Sequence, residues 1–133
     1  MNDRFKFRVF ISDKKNSKNS LTGMFKVHSL HTGTNKAIIT SLYGNCSIKL
    51  ENNVLMQCTG LKDTNGKLIY EGDIVRIFHV SGTMQGKLFT DVVEWNELRC
   101  RFDTEKYGVF DDDDIYEVIG NIYENKELLE SEG

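Results

Sequence analysis

Short runs of alternating or β-branched apolar residues recur along the whole chain, and turn-forming residues separate one run from the next. The first run, residues 4–11 (RFKFRVFI), alternates Phe, Val and Ile with Arg and Lys, which is the period of a half-buried strand. Later runs are separated by pairs such as Asn52-Asn53 and Asn65-Gly66, and the 133-residue chain contains no proline. Eight or more short strands at this spacing predict a mainly β fold, either a barrel or a sandwich.

Only the end of the chain predicts a helix. Residues 125–133 (NKELLESEG) begin with Asn125, a residue type that caps helix N-termini, and continue with acidic and leucine residues. The chain is long enough for one domain with its own core, and no internal repeat or linker divides it. We therefore predict a single domain over residues 1–133, with residues 1–53 as a less regular flank and residues 111–133 as an acidic strand and helix.

Charge is distributed unevenly along the chain. Residues 1–110 carry 16 Lys and Arg against 11 Asp and Glu, whereas residues 111–133 carry one Lys against nine Asp and Glu. The two ends either neutralise each other within the fold, or a basic face meets the acidic face of another copy or a nucleic acid. The candidate interaction surface therefore has a basic and an acidic part: Arg4, Lys6, Arg8, Asp111, Asp112, Asp113 and Asp114.

The stretch TGLKDTNGKLIYEGDIV (residues 59–75) gathers several carboxylates and raises the question of a calcium loop. A calcium loop of the helix-loop-helix type needs an acidic first position and a glycine at the sixth, but placing Gly66 sixth puts Leu61 first. Asn65 followed by glycine is the preferred pair of a type I′ hairpin turn, and Asp63 can bond to the turn backbone. We predict that these residues specify two tight turns, the signature turns: Asp63, Asn65, Gly66, Gly72 and Asp73.

The remaining reactive residue types form no recognisable catalytic or metal-binding pattern. The three cysteines are widely spaced, and His28 and His31 would face opposite sides of a strand. His79 lies in a predicted strand, where a half-buried packing role is expected. No nucleophile-elbow, phosphate-loop or dinucleotide motif occurs. We predict no catalytic residue, no cofactor and no metal ligand. Whether the acidic run of residues 111–114 binds a cation stays open.

The N-terminal sequence and the cysteines indicate a compartment. MNDRFKFRVF lacks the apolar segment of a signal peptide, and no apolar run approaches the length of a membrane span. Three cysteines without a CxxC pair do not suggest a disulfide framework. These features predict a protein of the reducing cytoplasm with no membrane partner.

Two long blocks resemble the YopX family of phage and prophage proteins. These blocks are LMQCTGLKDTNGKLIYEGDIV (55–75) and YEVIGNIYENKELLE (116–130), and the KFRVF at 6–10 and VVEWN at 92–96 are similar to further elements of the family pattern. Residues 12–54 match poorly and correspond to a segment that varies within the family. Phe10, Cys58 and Lys126 depart from the family pattern, but all three are packing or turn positions.

The resemblance implies a β-rich pseudobarrel of short antiparallel strands capped by a short C-terminal helix. A Gly-Asp pair before a β-branched run (residues 72–75) adds SH3-like barrel character by analogy. The family has no established activity, so no catalytic residues can be transferred from it. We expect a non-enzymatic module of a bacterial host cell that acts by self-association, as a homo-oligomer, or by binding a host or phage protein. The alternative is a nucleic-acid-binding accessory protein that uses the basic N-terminal strands.

Overall fold

The computed structural model describes residues 6–11, 23–31, 33–41, 44–51 and 53–130. These residues form strands and one short helix in this order: β1 (Phe7–Ile11), β2 (Gly23–His31), β3 (Lys36–Ser41), β4 (Gly44–Lys49), β5 (Val54–Lys62), β6 (Leu68–Tyr70), β7 (Asp73–Phe78), β8 (Leu88–Asn96), β9 (Arg101–Thr104), β10 (Gly108–Val109), β11 (Ile115–Asn121) and α1 (Glu127–Glu130). The chain divides into two compact units, one ending at Gln57 and the other beginning at Cys58. The single domain over residues 1–133 stays a prediction.

The unit that ends at Gln57 contains β1 to β4 and the beginning of β5. Its strands pair in the antiparallel order β4-β3-β2-β1-β5. Val9 and Ile11, from the predicted apolar face of the first strand, form its buried core with Ile39. The described part of the expected irregular flank is therefore regular, because β3 and β4 also alternate apolar and polar residues.

The unit that begins at Cys58 contains the rest of β5 and all later elements. Here β5 pairs with β6, and a five-stranded sheet follows the order β10-β9-β8-β7-β11. One core cluster of this unit lies against one face of that sheet, and Ile74 and Val92 are buried on the other face. The fully buried members of that cluster are Ile69, Val75, Ile77 and Val93.

The mainly β prediction is confirmed, but the described strands form two antiparallel sheets and not a closed barrel. The sheets contain six and five strands, and β6 and β11 are each terminal strands. Among the described residues, β6 and β11 do not pair with each other. Instead, the turn between β5 and β6 forms hydrogen bonds with β11. The SH3-like character stays a prediction.

The C-terminal helix is confirmed as one short turn, α1, within the described residues. Leu128 N donates to Asn125 O, and Leu129 N donates to Lys126 O. The Asn125 side chain also bonds back to β11, because its Oδ1 accepts from Asn121 N at 3.2 Å. Asn125 therefore fastens the end of β11 to the residues before the helix.

Candidate functional site

The first signature turn is organised by one buried carboxylate. Asp63, 7% exposed, accepts at Oδ1 from Asn65 N at 2.9 Å and from Lys67 N at 2.8 Å. Its Oδ2 accepts from Val118 N at 2.9 Å, and Thr64 N donates to Tyr116 O. Because β11 is a terminal strand, these last two bonds occupy part of its open edge. Asp63 therefore joins the β5–β6 hairpin to β11.

The hairpin is confirmed, but the predicted type I′ turn is wrong. Gly66 N donates to Asp63 O, and Gly66 has φ of +79°. Among the described residues other than glycine, only Asn35 and Cys100 have positive φ, so Asn65 does not have the positive φ that type I′ requires. The pattern is that of a type I turn followed by a left-handed glycine, which suits the Asp63 side chain because it brings two amides within reach.

The second signature turn also serves the fold. Asp73 is 1% exposed, and its Oδ2 accepts from Tyr70 N at 2.8 Å. Gly72, with φ of +87°, donates from its N–H to Val93 O and accepts from Ile122 N. In both turns a carboxylate thus accepts hydrogen bonds from backbone amides.

Sequence reasoning missed Asp91, which has a similar role in the five-stranded sheet. It is 1% exposed and accepts from Val92 N at Oδ1, while its Oδ2 accepts from Lys106 N and Tyr107 N at 2.8 and 3.0 Å. It therefore fixes the turn between β9 and β10 to β8. The signal in the sequence is an Asp within an otherwise apolar run, since a buried carboxylate needs donors.

Acidic residues crowd the polar face of β8 and β9. Asp103 is held by Arg101 Nε at 2.7 Å and Asn96 Nδ2 at 2.9 Å. Glu94 lies directly opposite Asp103 in the strand register. Burial first, and then neighbouring carboxylates with Glu105 foremost, raise the pKa of Glu94. Two acids face each other here, and only Asp103 has a basic partner in these contacts.

Only two of the three predicted basic residues lie among the described residues. Arg4 lies outside the described residues, Lys6 is exposed, and Arg8 is 8% exposed in β1. Arg8 is buried although it lies on the opposite face of β1 from the core residue Val9. The nucleic-acid hypothesis stays a prediction, with Lys6 its only described exposed base among the three.

The acidic run divides between solvent and the fold. Asp111, Asp112 and Asp113 are exposed, whereas the side chain of Asp114 is only 8% exposed. Asp111 Oδ1 accepts from Asp113 N, and Asp111 N donates to Tyr116 Oη at 2.8 Å. Burial of Tyr116 is the main cause that raises its pKa, and the charges of the nearby carboxylates add to it. The run therefore forms a hydrogen-bonded turn before β11.

Asp114 pairs with His79. His79 Nδ1 lies 2.8 Å from Asp114 Oδ2, and the imidazole side chain is 17% exposed. The ring packs at an angle to Phe89 and Tyr107, with centroids 5.3 and 6.3 Å away. This confirms a half-buried packing role for His79. The contact also fastens the β7–β8 connection to the loop that precedes β11.

Beside this pair, three apolar side chains are exposed in a line across adjacent strands. Ile115 of β11 is opposite Phe78 of β7, and Phe78 is opposite Leu88 of β8. Directly opposite residues point to the same face of a sheet, about 5 Å apart at Cβ. Their exposed fractions are 44%, 38% and 56% in that order. We call these three residues the apolar row.

A charge pair borders the apolar row. Arg76 and Glu117 lie two residues further along β7 and β11, are opposite each other, and therefore share the face of the row. Arg76 Nη1 is 3.7 Å from Glu117 Oε1, and the two side chains are 42% and 43% exposed. An apolar centre with a charged rim is the usual anatomy of a protein contact surface.

Two other kinds of feature are absent from the described residues. No group of three or more His, Cys, Asp or Glu among them could hold a metal ion. None of their helices is long and apolar enough to cross a membrane. The apolar row is a candidate surface for contact with another protein, because its three large side chains are exposed and adjacent.

Comparison with known proteins identifies relatives along nearly the whole chain. The crystal structure of protein EF1440 from Enterococcus faecalis is 29% identical, with a TM-score of 0.59 over 93% of this chain and 96% of that one. Protein yopX from Bacillus subtilis is 18% identical, with a TM-score of 0.49 over 95% and 98%. No protein of curated function matches significantly. The sequence pattern of the YopX protein family matches residues 6–130, and the chain belongs to this family.

Proposed function

We propose that this protein is a non-enzymatic interaction module that binds protein, either a second copy of itself or a phage or host protein. The observation that supports the proposal is the apolar row, because Phe78, Leu88 and Ile115 expose large side chains next to one another on three paired strands. Single exposed apolar residues are ordinary on protein surfaces, whereas a contiguous exposed patch is often functional.

The size of the row sets the strength of the contact. At about 200 Å² per side chain, the exposed fractions amount to roughly 250–300 Å² of apolar surface. Burying that area contributes about 7 kcal/mol at ~25 cal/mol per Å², and association itself costs about 4–15 kcal/mol. A standard stable interface buries about 800 Å² per partner. The row therefore supports weak, concentration-dependent binding, with surrounding polar groups adding to it.

The roles of the buried carboxylates support the non-enzymatic part of the proposal. Asp63, Asp73 and Asp91 are at most 7% exposed and accept hydrogen bonds from backbone amides. Asp103 is held by an arginine and an asparagine side chain. A carboxylate committed in this way holds the backbone in place, and proton transfer or metal binding would disrupt its bonds.

Sedimentation velocity over a wide range of protein concentration tests the proposal, with capture experiments from bacterial cells in parallel. Ile115→Asp should abolish both self-association and any specific capture, because it places a charge in the row. Leu98→Asp is the matched control, since Leu98 is 96% exposed and lies in the turn between β8 and β9. If Ile115→Asp associates and captures as wild type does, the row is not the contact surface.

The cellular setting is part of the same proposal. Membership of the YopX family supports a phage or prophage origin, and the cysteine usage of the sequence supports a bacterial cytoplasm. Fractionation of cells that express the chain at native level would test the compartment. Recovery in the periplasmic or extracellular fraction would contradict it.

A further inference from the structure

We infer that the occupant of the apolar row is a second copy of this chain, docked face to face on β7 and β11 about a two-fold axis. This inference rests on the proposed function and makes it more specific. It arises from the arrangement of two neighbouring residue pairs on one face, Ile115 with Phe78 and Glu117 with Arg76.

The strand register makes this face self-complementary. A two-fold axis parallel to the strands and midway between β7 and β11 exchanges the positions of the two strands. It therefore places Phe78 of each copy over Ile115 of the other. The same operation places Arg76 of each copy over Glu117 of the other. One axis satisfies the apolar and the charged contacts together, as an isologous interface requires.

The charges select a second copy over a partner with a strong net charge. Within one chain the Arg76 Nη1 to Glu117 Oε1 distance is 3.7 Å, and both side chains are more than two-fifths exposed. Both groups therefore retain exposed area for further contacts. A strongly acidic or basic partner would attract one of these groups and repel the other, whereas a second copy presents the opposite charge to each.

Leu88 lies at the margin of the contact and not at its centre. It is on β8, on the other side of β7 from β11, so the axis places it beyond the edge of the partner's β11. Replacing Leu88 should therefore weaken the dimer less than replacing Ile115. Exposure alone would predict the opposite ranking, since Leu88 is 56% exposed and Ile115 is 44% exposed. The expected ranking therefore follows from the position of the axis.

Charge exchange between copies tests the inference with the full chain. Arg76→Glu alone and Glu117→Arg alone place like charges opposite each other in the homodimer. Each should raise the dimer dissociation constant about tenfold or more at low salt. An equimolar mixture of the two variants should recover association as a heterodimer. The double variant should recover it as a homodimer. Near-UV circular dichroism checks that each exposed substitution leaves the fold intact.

The outcomes separate this inference from the proposed function. Loss in both single variants with recovery in the mixture supports the two-fold contact. Single variants that dimerise like wild type, or a mixture that does not recover, overturn it. If wild type stays monomeric but Ile115→Asp loses capture of another protein, the second copy is excluded and the proposed function survives. If wild type neither self-associates nor captures a protein, both fail.

Discussion

Replacing Asp63 by alanine should destabilise the unit that begins at Cys58 more than any change at an exposed acid. The carboxylate accepts three backbone N–H bonds of 2.8 to 2.9 Å, two within its own turn and one from Val118 of β11. Alanine removes all three hydrogen bonds at once. It also opens the edge of β11, which the turn otherwise occupies.

The size of the effect follows from where the donors are. Asn65 and Lys67 are exposed, so water can replace the carboxylate at their amides, and each loss costs about 0.5–1 kcal/mol. Val118 is half-buried, so its amide loses a charged acceptor without full access to water, at about 1.5–3 kcal/mol. The sum is about 2.5–5 kcal/mol, which is a large part of a typical unfolding free energy of about 5–15 kcal/mol.

Urea unfolding followed by tryptophan fluorescence measures this loss. Trp95 is the single tryptophan of the chain and lies in β8, within the same unit as Asp63. Asp63→Asn keeps the shape and one acceptor oxygen, so it should lose about half as much as alanine. Asp112→Asn is the matched control, because it removes the same charge from an exposed position and should change stability by under about 0.5 kcal/mol.

Two results would refute the reasoning about Asp63. The first is a loss below about 1 kcal/mol in Asp63→Ala, which would mean that the three bonds do not hold the hairpin to β11. The second is an equal loss in Asp112→Asn, which would assign the effect to charge and not to hydrogen bonding.

Three further changes test other positions by the same unfolding measurement. Gly66→Ala should cost about 1 kcal/mol through its φ of +79° alone, since no heavy atom lies within 4 Å of the added Cβ; no loss would contradict the left-handed turn. Asp91→Ala should cost about 3 kcal/mol because it leaves three backbone amides without an acceptor; a loss under 1 kcal/mol would argue against that role. Burial, then Glu105, raises the pKa of Glu94, so the folded state binds this proton more tightly than the unfolded state. The stability that this tighter proton binding contributes is fully present below pH 4.5, the ordinary pKa of a glutamate, and is lost as the pH rises through the pKa of Glu94 in the folded state. Glu94→Gln should therefore gain stability relative to wild type at pH 7, and the gain should close as pH falls; a gain independent of pH would refute the electrostatic cause.

Features that depend on neighbouring residues in sequence could be predicted, and the β5–β6 hairpin is the clearest case. Asp63 and Gly66 lie within four positions, so turn chemistry alone determines that the chain reverses there. The predicted turn type is wrong because the turn type also depends on which amides donate to the Asp63 carboxylate. Local preference for Asn65-Gly66 does not contain that information.

Features that depend on distant partners could not be predicted. Asp91 is fixed by amides 15 and 16 residues away, and the sequence around Asp91 does not indicate which amides these are. Gly120 resembles a turn glycine in sequence, yet it lies in β11, where an added Cβ would come within 2.6 Å of Asn125 Oδ1. Arg8 alternates with the core residues as predicted but is buried, because periodicity assigns a residue to a face of the sheet and does not tell whether that face is covered.

The signature turns and the apolar row are connected through β11. Val118, held by Asp63, is three residues from Ile115 and adjacent to Glu117, the two residues that β11 supplies to the candidate surface. The His79–Asp114 pair holds the other end of the same segment. The carboxylates of Asp63 and Asp114 therefore both act on β11 or on the residue that precedes it. They fix the strand whose register against β7 brings the apolar row and its charge pair onto one face.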